Sequence, residues 1–235
     1  MSFPKLAAVA GLMLAMAWFP ASADAQTADD GGLWMSFNGN GAGREVGLQH
    51  PKLKWWFDGH LRFLDDAEGF NQSIVRPGIG WDLGNDAAIW AGYGWIHNAP
   101  VGGGDFDEHR LWQQSTWAPK CDDWSYLFRS RFEQRWLDRG NDTGLRFRQM
   151  FRASKQLAHH PRMTAVVWDE MFIHLNDTDW GARAGFDQNR VFAGCGFKRC
   201  TTDRLRTEIG YLNQAINRPG SANRVNHILS INFFY

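Results

Sequence analysis

The chain has 235 residues, with 25 basic side chains against 25 acidic ones and a formal net charge of zero. That balance excludes the basic footprint of a nucleic-acid-binding protein, and the length suits one barrel or one to two soluble domains. Aromatics make up 14% of the residues, with 13 Trp, and the cations divide into 19 Arg and 6 Lys. Trp favours membrane interfaces, and Arg favours paired, partly buried positions.

Residues 1–25 read as an export signal. Lys5 gives a thin basic start, an apolar stretch follows to Phe19, and Pro20 breaks it. Ala23-Asp24-Ala25 then offers the small-x-small cleavage pattern, leaving Gln26 first in a mature chain of 210 residues. The apolar stretch is short for a membrane-spanning helix, and no second long apolar run follows. Residues 26–235 are expected to form a single domain.

From there period-two alternation dominates, which is the signature of strands with one apolar and one polar face. Strands are predicted over 33–40, 44–49, 52–64, 72–83, 86–97, 107–117, 124–136, 145–152, 162–174, 186–198, 203–214 and 224–235. The clearest, 52–64, sets Leu53, Trp55, Phe57, Gly59, Leu61 and Phe63 against Lys54, Trp56, Asp58, His60, Arg62 and Leu64. Turn signals at Gly84-Asn85-Asp86, Arg139-Gly140-Asn141-Asp142, His160-Pro161 and Arg218-Pro219-Gly220 separate them. The strands match the length of tilted membrane strands, about 9–11 residues or more.

A soluble sandwich or lipocalin would alternate in the same way. Export, aromatics near the strand ends and several Arg with a Glu on neighbouring polar faces favour an all-β, antiparallel up-and-down transmembrane barrel. A basic side chain facing lipid at mid-depth costs about 2–4 kcal/mol, so the Arg face is expected to point into the lumen. The count is about twelve strands, with ten as the alternative.

The expected lumen network comprises Arg129, Arg131, Glu133 and Arg135 on one strand and Arg146, Arg148 and Arg152 on the next. Glu170, Arg190 and Glu208 join it, and Asp58 is a further pairing partner. Such a ladder either guides anionic solutes through planar guanidinium contacts or pairs internally to plug the barrel.

No catalytic residues, metal or cofactor are assigned. His227 and Ser230 fall on opposite faces, and Glu170 and His174 stand about 13 Å apart by strand rise. Asp105-Phe106-Asp107-Glu108-His109 and Asp177-x-Asp179 read as solvated loop acids rather than calcium sites, and His159-His160 is a weak metal candidate. Cys121, Cys195 and Cys200 have no metal spacing; two of them can form a disulfide in an oxidising compartment, leaving one thiol.

Several segments have recognisable wording: Asp169-Glu170-Met171-Phe172-Ile173, Gly185-Phe186-Asp187-Gln188-Asn189-Arg190, Gly194-x-Gly196, Glu208-Ile209-Gly210-Tyr211-Leu212-Asn213-Gln214 and His227. With Arg129-x-Arg131-x-Glu133-x-Arg135 they resemble a family of bacterial outer-membrane barrels known as a domain of unknown function, DUF2490. The resemblance spans nearly the whole mature chain and is most specific over 127–235. It implies an outer-membrane barrel and brings no activity or catalytic residue.

In the final strand Leu229, Ile231, Phe233 and Tyr235 make an apolar face ending in an aromatic, which resembles the signal read by the barrel-assembly machinery. Expected partners are outer-membrane lipid and lipopolysaccharide, that machinery, and a small anionic solute. The leading functional expectation is a narrow channel or binding barrel for such solutes. The alternatives are a non-conducting structural barrel and, third, an outer-leaflet lipid enzyme with a rim histidine.

Overall fold

A computed structural model describes residues 27–198 and 205–235. The expected export signal and Cys200 lie outside them. The strands are β1 (Thr27–Ala42), β2 (Leu53–Leu64), β3 (Gly69–Gly84), β4 (Ala87–Asn98), β5 (Phe106–Trp117), the two-residue β6 (Lys120–Cys121), β7 (Trp124–Leu137), β8 (Gly144–Leu157), β9 (His160–His174), β10 (Gly185–Lys198), β11 (Arg206–Ile216) and β12 (Asn223–Phe234).

Each strand pairs antiparallel with the next, β5 pairs with β7 across the short β6, and β1 pairs with β12 to close the sheet. The result is an all-β closed barrel with eleven wall strands. The closing pair is parallel, from Thr27 opposite Asn223 to Asn38 opposite Phe234. This corrects one detail of the strand reading. Segment 44–49 is not a return strand but a 3-10 turn, Gly43–Val46, ended by Gly47 at φ 86°. Without that return the wall has an odd number of strands, so its first and last strands must run in the same direction.

The turns alternate between two ends. At one end lie β1–β2, β3–β4, β5–β7 and β8–β9 together with Tyr235; the β3–β4 turn is tight, with Asn85 and Asp86 at φ 50° and 61° as a two-residue type I′ hairpin requires. At the other lie the β2–β3, β4–β5, β7–β8, β9–β10 and β11–β12 connections and the start of β1. Gly84-Asn85-Asp86 and Gly102-Gly103-Gly104 accordingly sit at opposite ends.

Period-two alternation sorts the side chains. Outward positions carry Phe37, Leu61, Ile79, Ile89, Leu111, Val167, Ile209 and Leu229, all exposed. Outward aromatics gather towards each end: Trp55, Trp81, Trp117, Trp124 and Tyr235 at one, Phe70, Trp95, Trp136 and Phe186 at the other. Inward positions are a mixture of arginine, carboxylate and large apolar groups. One inner cluster joins Trp34, Val166, Phe192, Leu212 and Ile228 with Trp168 against it; a second joins Ala88, Trp90 and Trp112 with Trp56.

Inward glycines make room for these rings. Gly194 and Gly210 face each other across β10 and β11, and a β-carbon on either would lie 2.7 Å from Cζ of the fully buried Phe192. Such a carbon on Gly210 would also clash with the Ala193 carbonyl oxygen, so Gly210→Val is expected to press on both the ring and the facing β10 backbone and destabilise the barrel by about 1–3 kcal/mol, the usual range for overpacking. Thermal unfolding of the purified variant checks this, and an unchanged Tm would refute the packing account.

Candidate functional site

The lumen is organised by carboxylates that are each shared among several guanidiniums. Glu133 on β7 accepts from Arg146 Nε and Nη2 at 2.9 and 2.6 Å and from Arg148 Nη1 at 2.8 Å. Glu170 on β9 accepts from Arg148 Nε and Nη2 at 3.0 and 2.7 Å and from Arg129 at 2.8 Å. Glu108 on β5 accepts from both ends of the Arg110 fork at 2.7 Å and from Arg135 Nε at 2.5 Å. Asp58 takes Arg76 Nε at 2.6 Å and the Trp56 indole N–H at 2.7 Å. Glu208 binds Arg152 and also Arg206, 3.1 Å away.

These are charge-assisted, often two-pronged contacts of the kind planar guanidinium favours. A carboxylate between two or three guanidiniums is needed because an unpaired buried charge is costly. Arg131 is handled differently. It donates to Gln114 at 2.8 Å, stands 3.9 Å from both Asp58 and Glu133, and lies over Trp112 at 4.7 Å. An aromatic face supplies part of what a carboxylate would. Arg131, Glu133 and Glu208 are essentially fully buried.

The structure thus brings Arg129, Arg131, Glu133, Arg146, Arg148 and Glu170 into one connected group. Arg135 belongs to a neighbouring group around Glu108, while Arg152 and Glu208 form a third towards the opposite end. Arg190 has no carboxylate within ion-pair distance among the described residues. Residues the strand reading did not place in the network include Arg62, Arg76, Glu108, Arg110, His174 and Asp187. The signal for Glu108 and Arg110 was period two itself: they share a face of β5, but Glu108 was taken with a run of loop acids. The last group is His174, 3.3 Å from Asp187, which also lies 3.5 Å from Arg146.

Beside this network a cavity of about 440 Å³ opens at the end bearing the β9–β10 connection. Nine arginines line it: Arg62, Arg76, Arg110, Arg135, Arg139, Arg146, Arg148, Arg190 and Arg224; among the described residues its lining carboxylates are Glu108 and Asp187. Six of the nine are ion-paired: Arg76 with Asp58, Arg110 and Arg135 with Glu108, Arg146 and Arg148 with Glu133, and Arg224 with Asp30. Arg139 is exposed at the rim, over Phe106. Arg62 and Arg190 are buried and pair with no described carboxylate. Beyond the cavity, residues from all round the wall fill the lumen: Asp58, Trp112, Arg131, Phe192 and Leu212 are each less than 2% exposed or at that limit.

The β9–β10 connection leans over the mouth, with Trp180, Gly181 and Ala182 among the lining residues. It is tied to the β7–β8 turn by a reciprocal cap. Asp179 accepts from the backbone N–H groups of Asn141 and Asp142 at 2.8 and 3.2 Å, and Asp142 accepts from the Asp179 N–H at 2.7 Å.

The remaining candidates lie apart from this cavity. Among the described residues the hydroxyls bonded to a histidine belong to two outward tyrosines, Tyr93 with His109 and Tyr211 with His227. His227 is exposed and Ser230 buried, on opposite faces. His97 pairs with Asp107 at 2.7 Å at the rim. Asp177 is occupied by the Ala184 N–H and by Arg183, and no group of three or more metal-ligating side chains occurs among the described residues. Cys121 and Cys195 are free thiols. Leu229, Phe233 and Tyr235 are exposed on the outer wall and Ile231 half-exposed.

Two expected outcomes follow from these contacts. Glu133→Ala, which takes from Arg146 its closest carboxylate and from Arg148 one of its two, is expected to cost about 3–5 kcal/mol of stability. By contrast Asp123→Ala, which removes a half-exposed 3.7 Å pair with Lys155, is expected to cost about 0–1 kcal/mol. Equal losses in denaturation midpoints would sink the buried-lattice account. The N–H of Asn141 is the main cause that holds the Asp179 carboxyl below its ordinary range. A depressed carboxylate stabilises above its unfolded pKa and loses that contribution as pH falls through the folded value. Below about pH 3.9 the cap therefore loosens, and Asp179→Ala loosens it at neutral pH. Proteolysis after Arg183 should rise in both cases.

The family described as "Protein of unknown function (DUF2490)" matches residues 31–226. An uncharacterized protein of Methylorubrum extorquens is 33% identical over 218 residues, 91% of each chain. Outer-membrane expressed OmpT of Vibrio cholerae aligns with a TM-score of 0.40 at 14% identity, covering 79% of this chain. The aligned part is 63% of that chain's length, and at this score the likeness says nothing about activity. The family match over most of the chain and the full-length relative together place this protein in the DUF2490 family.

Proposed function

We propose that this barrel spans the bacterial outer membrane and binds a small anionic solute in its arginine-lined cavity, as a binding barrel rather than a channel. Support for the membrane is the outward apolar belt between two sets of aromatics, together with charge turned inward. The expected cleaved signal and the terminal aromatic strand point to the same destination.

One observation carries the functional part: nine arginines line the cavity against two carboxylates, and two of the buried ones have no ion pair among the described residues. A purely structural barrel gains nothing from retaining buried, uncompensated charge. A site that receives an anion does, because the ligand completes the pairing. The filled lumen beyond the cavity favours capture over conduction. Arg139 at the rim adds positive potential at the entrance.

Calorimetric titration of detergent-purified protein with sulfate, acetate and methyl phosphate tests this, beside planar-bilayer recording. We expect saturable anion binding, a matching rise in Tm, and no ion-conducting steps. Sustained conductance would replace capture with a channel. Silence in the bilayer without binding of any anion would leave only the structural role.

A further inference from the structure

The arginines without carboxylate partners define a subsite within the cavity. Arg62 on β2 and Arg190 on β10 both pack on the indole of Trp34, at 3.9 and 4.9 Å, and Arg190 also lies over Phe172 at 4.5 Å. Both are more than nine-tenths buried and both line the cavity. We propose that Arg62 and Arg190 together hold a doubly charged oxyanion of the phosphate-monoester kind, borne by a solute whose remainder occupies the rest of the cavity. The proposal rests on reading the cavity as an anion site.

Charge comes first. The other buried arginines lining the cavity each have a carboxylate within ion-pair distance, so these two guanidiniums are the buried pair there without one among the described residues. A monoanion would leave one of them uncompensated in a buried site. Donor geometry agrees. Arg62 Nη1 donates to Gln72 at 2.7 Å, while among the described residues its buried Nε has no partner and Nη2 no protein acceptor. Arg190 Nε donates to Gln188 at 3.2 Å, and neither of its Nη groups has a protein acceptor among the described residues. The subsite thus offers N–H groups and calls for a ligand group that only accepts.

Stacking sharpens this. Aromatic rings take the flat faces of the guanidiniums and leave their in-plane N–H edges for a ligand, the arrangement that matches phosphate oxygens in a two-pronged fashion. Size then argues against a bare ion. A water molecule's share of the liquid is about 30 Å³, and a cavity of about 440 Å³ falls in the range that accommodates small organic ligands.

The test uses the full mature barrel in detergent, titrated with methyl phosphate at pH 7.5 and pH 5.0. The second ionisation of a phosphate monoester lies near pH 6, so the dianion is scarce at the lower pH and apparent affinity should fall about tenfold. Sulfate, which stays doubly charged, corrects for titration of the protein groups around the cavity, His174, Asp187 and Glu108 beside Arg146 and Arg148. Arg62→Gln and Arg190→Gln are each expected to weaken methyl phosphate binding at least tenfold, and the pH comparison holds even where a variant folds poorly. Phosphatidic acid in mixed micelles distinguishes a lipid-borne monoester from a soluble one: binding by the lipid alone places the source in the bilayer. Acetate binding as tightly as methyl phosphate, or methyl phosphate affinity that follows sulfate at both pH values, would overturn the dianion while leaving anion capture standing. Failure of every anion to bind would overturn both.

Discussion

Inside a closed sheet, a charge has few places to go. Inward side chains from all round the wall fill much of the enclosed space, so a buried ionised group must find its counter-charge among the other inward residues. This condition governs the lumen. Glu133 is satisfied by arginines from β8, with Arg131 of its own strand 3.9 Å away, Glu170 by arginines from β7 and β8, and Glu108 by arginines from β5 and β7. Each carboxylate is therefore a cross-brace between neighbouring strands and fixes their register as well as their charge. Removing the alternation by one residue would turn all of these groups outward together.

The cation excess is accommodated by a second device, the aromatic face. Trp34, Phe172, Trp112 and Trp180 each lie beneath at least one guanidinium. Stacking stabilises the cation without consuming its hydrogen-bond donors. A carboxylate partner uses up the N–H groups of an arginine; a ring leaves them available. The distribution of acids and rings along the lumen thus decides which arginines are structural and which remain able to bind. Glycines such as Gly194 and Gly210 keep the rings in place by leaving space above the sheet.

Much of this was legible in the sequence, for a simple reason: period two is read directly from side-chain order. Arg129, Arg131, Glu133 and Arg135 had to share a face, and the turn at Gly84-Asn85-Asp86 announced itself through residues that tolerate positive φ. What could not be read is which strand meets which. The role of Arg62 depends on Trp34 beside it, on β1, and on having no carboxylate within pairing distance among the described residues, and that of Arg190 on Gln188 and Phe172. Those relations arise from strand register around the wall, and no local pattern encodes them. The odd number of strands escaped for a similar reason. Gly43–Val46 follows a glycine- and asparagine-rich strand end, and its composition serves a turn and a short strand equally well.

The parallel join between β1 and β12 has a consequence for how the cylinder forms. Every other pair of long neighbours is linked by a connection of modest length, so it can zip from its turn. This pair has no turn. Ser36 meets Asn232 across 196 residues of sequence, and the entropic cost of that closure falls at the end, when all the intervening strands are already in place. Until then both strands present open edges of the kind that recruit foreign strands. Parallel pairing is also slightly weaker per residue. The join is therefore the last contact made and the first to part, which gives an otherwise continuous wall a single line of weakness running its full height.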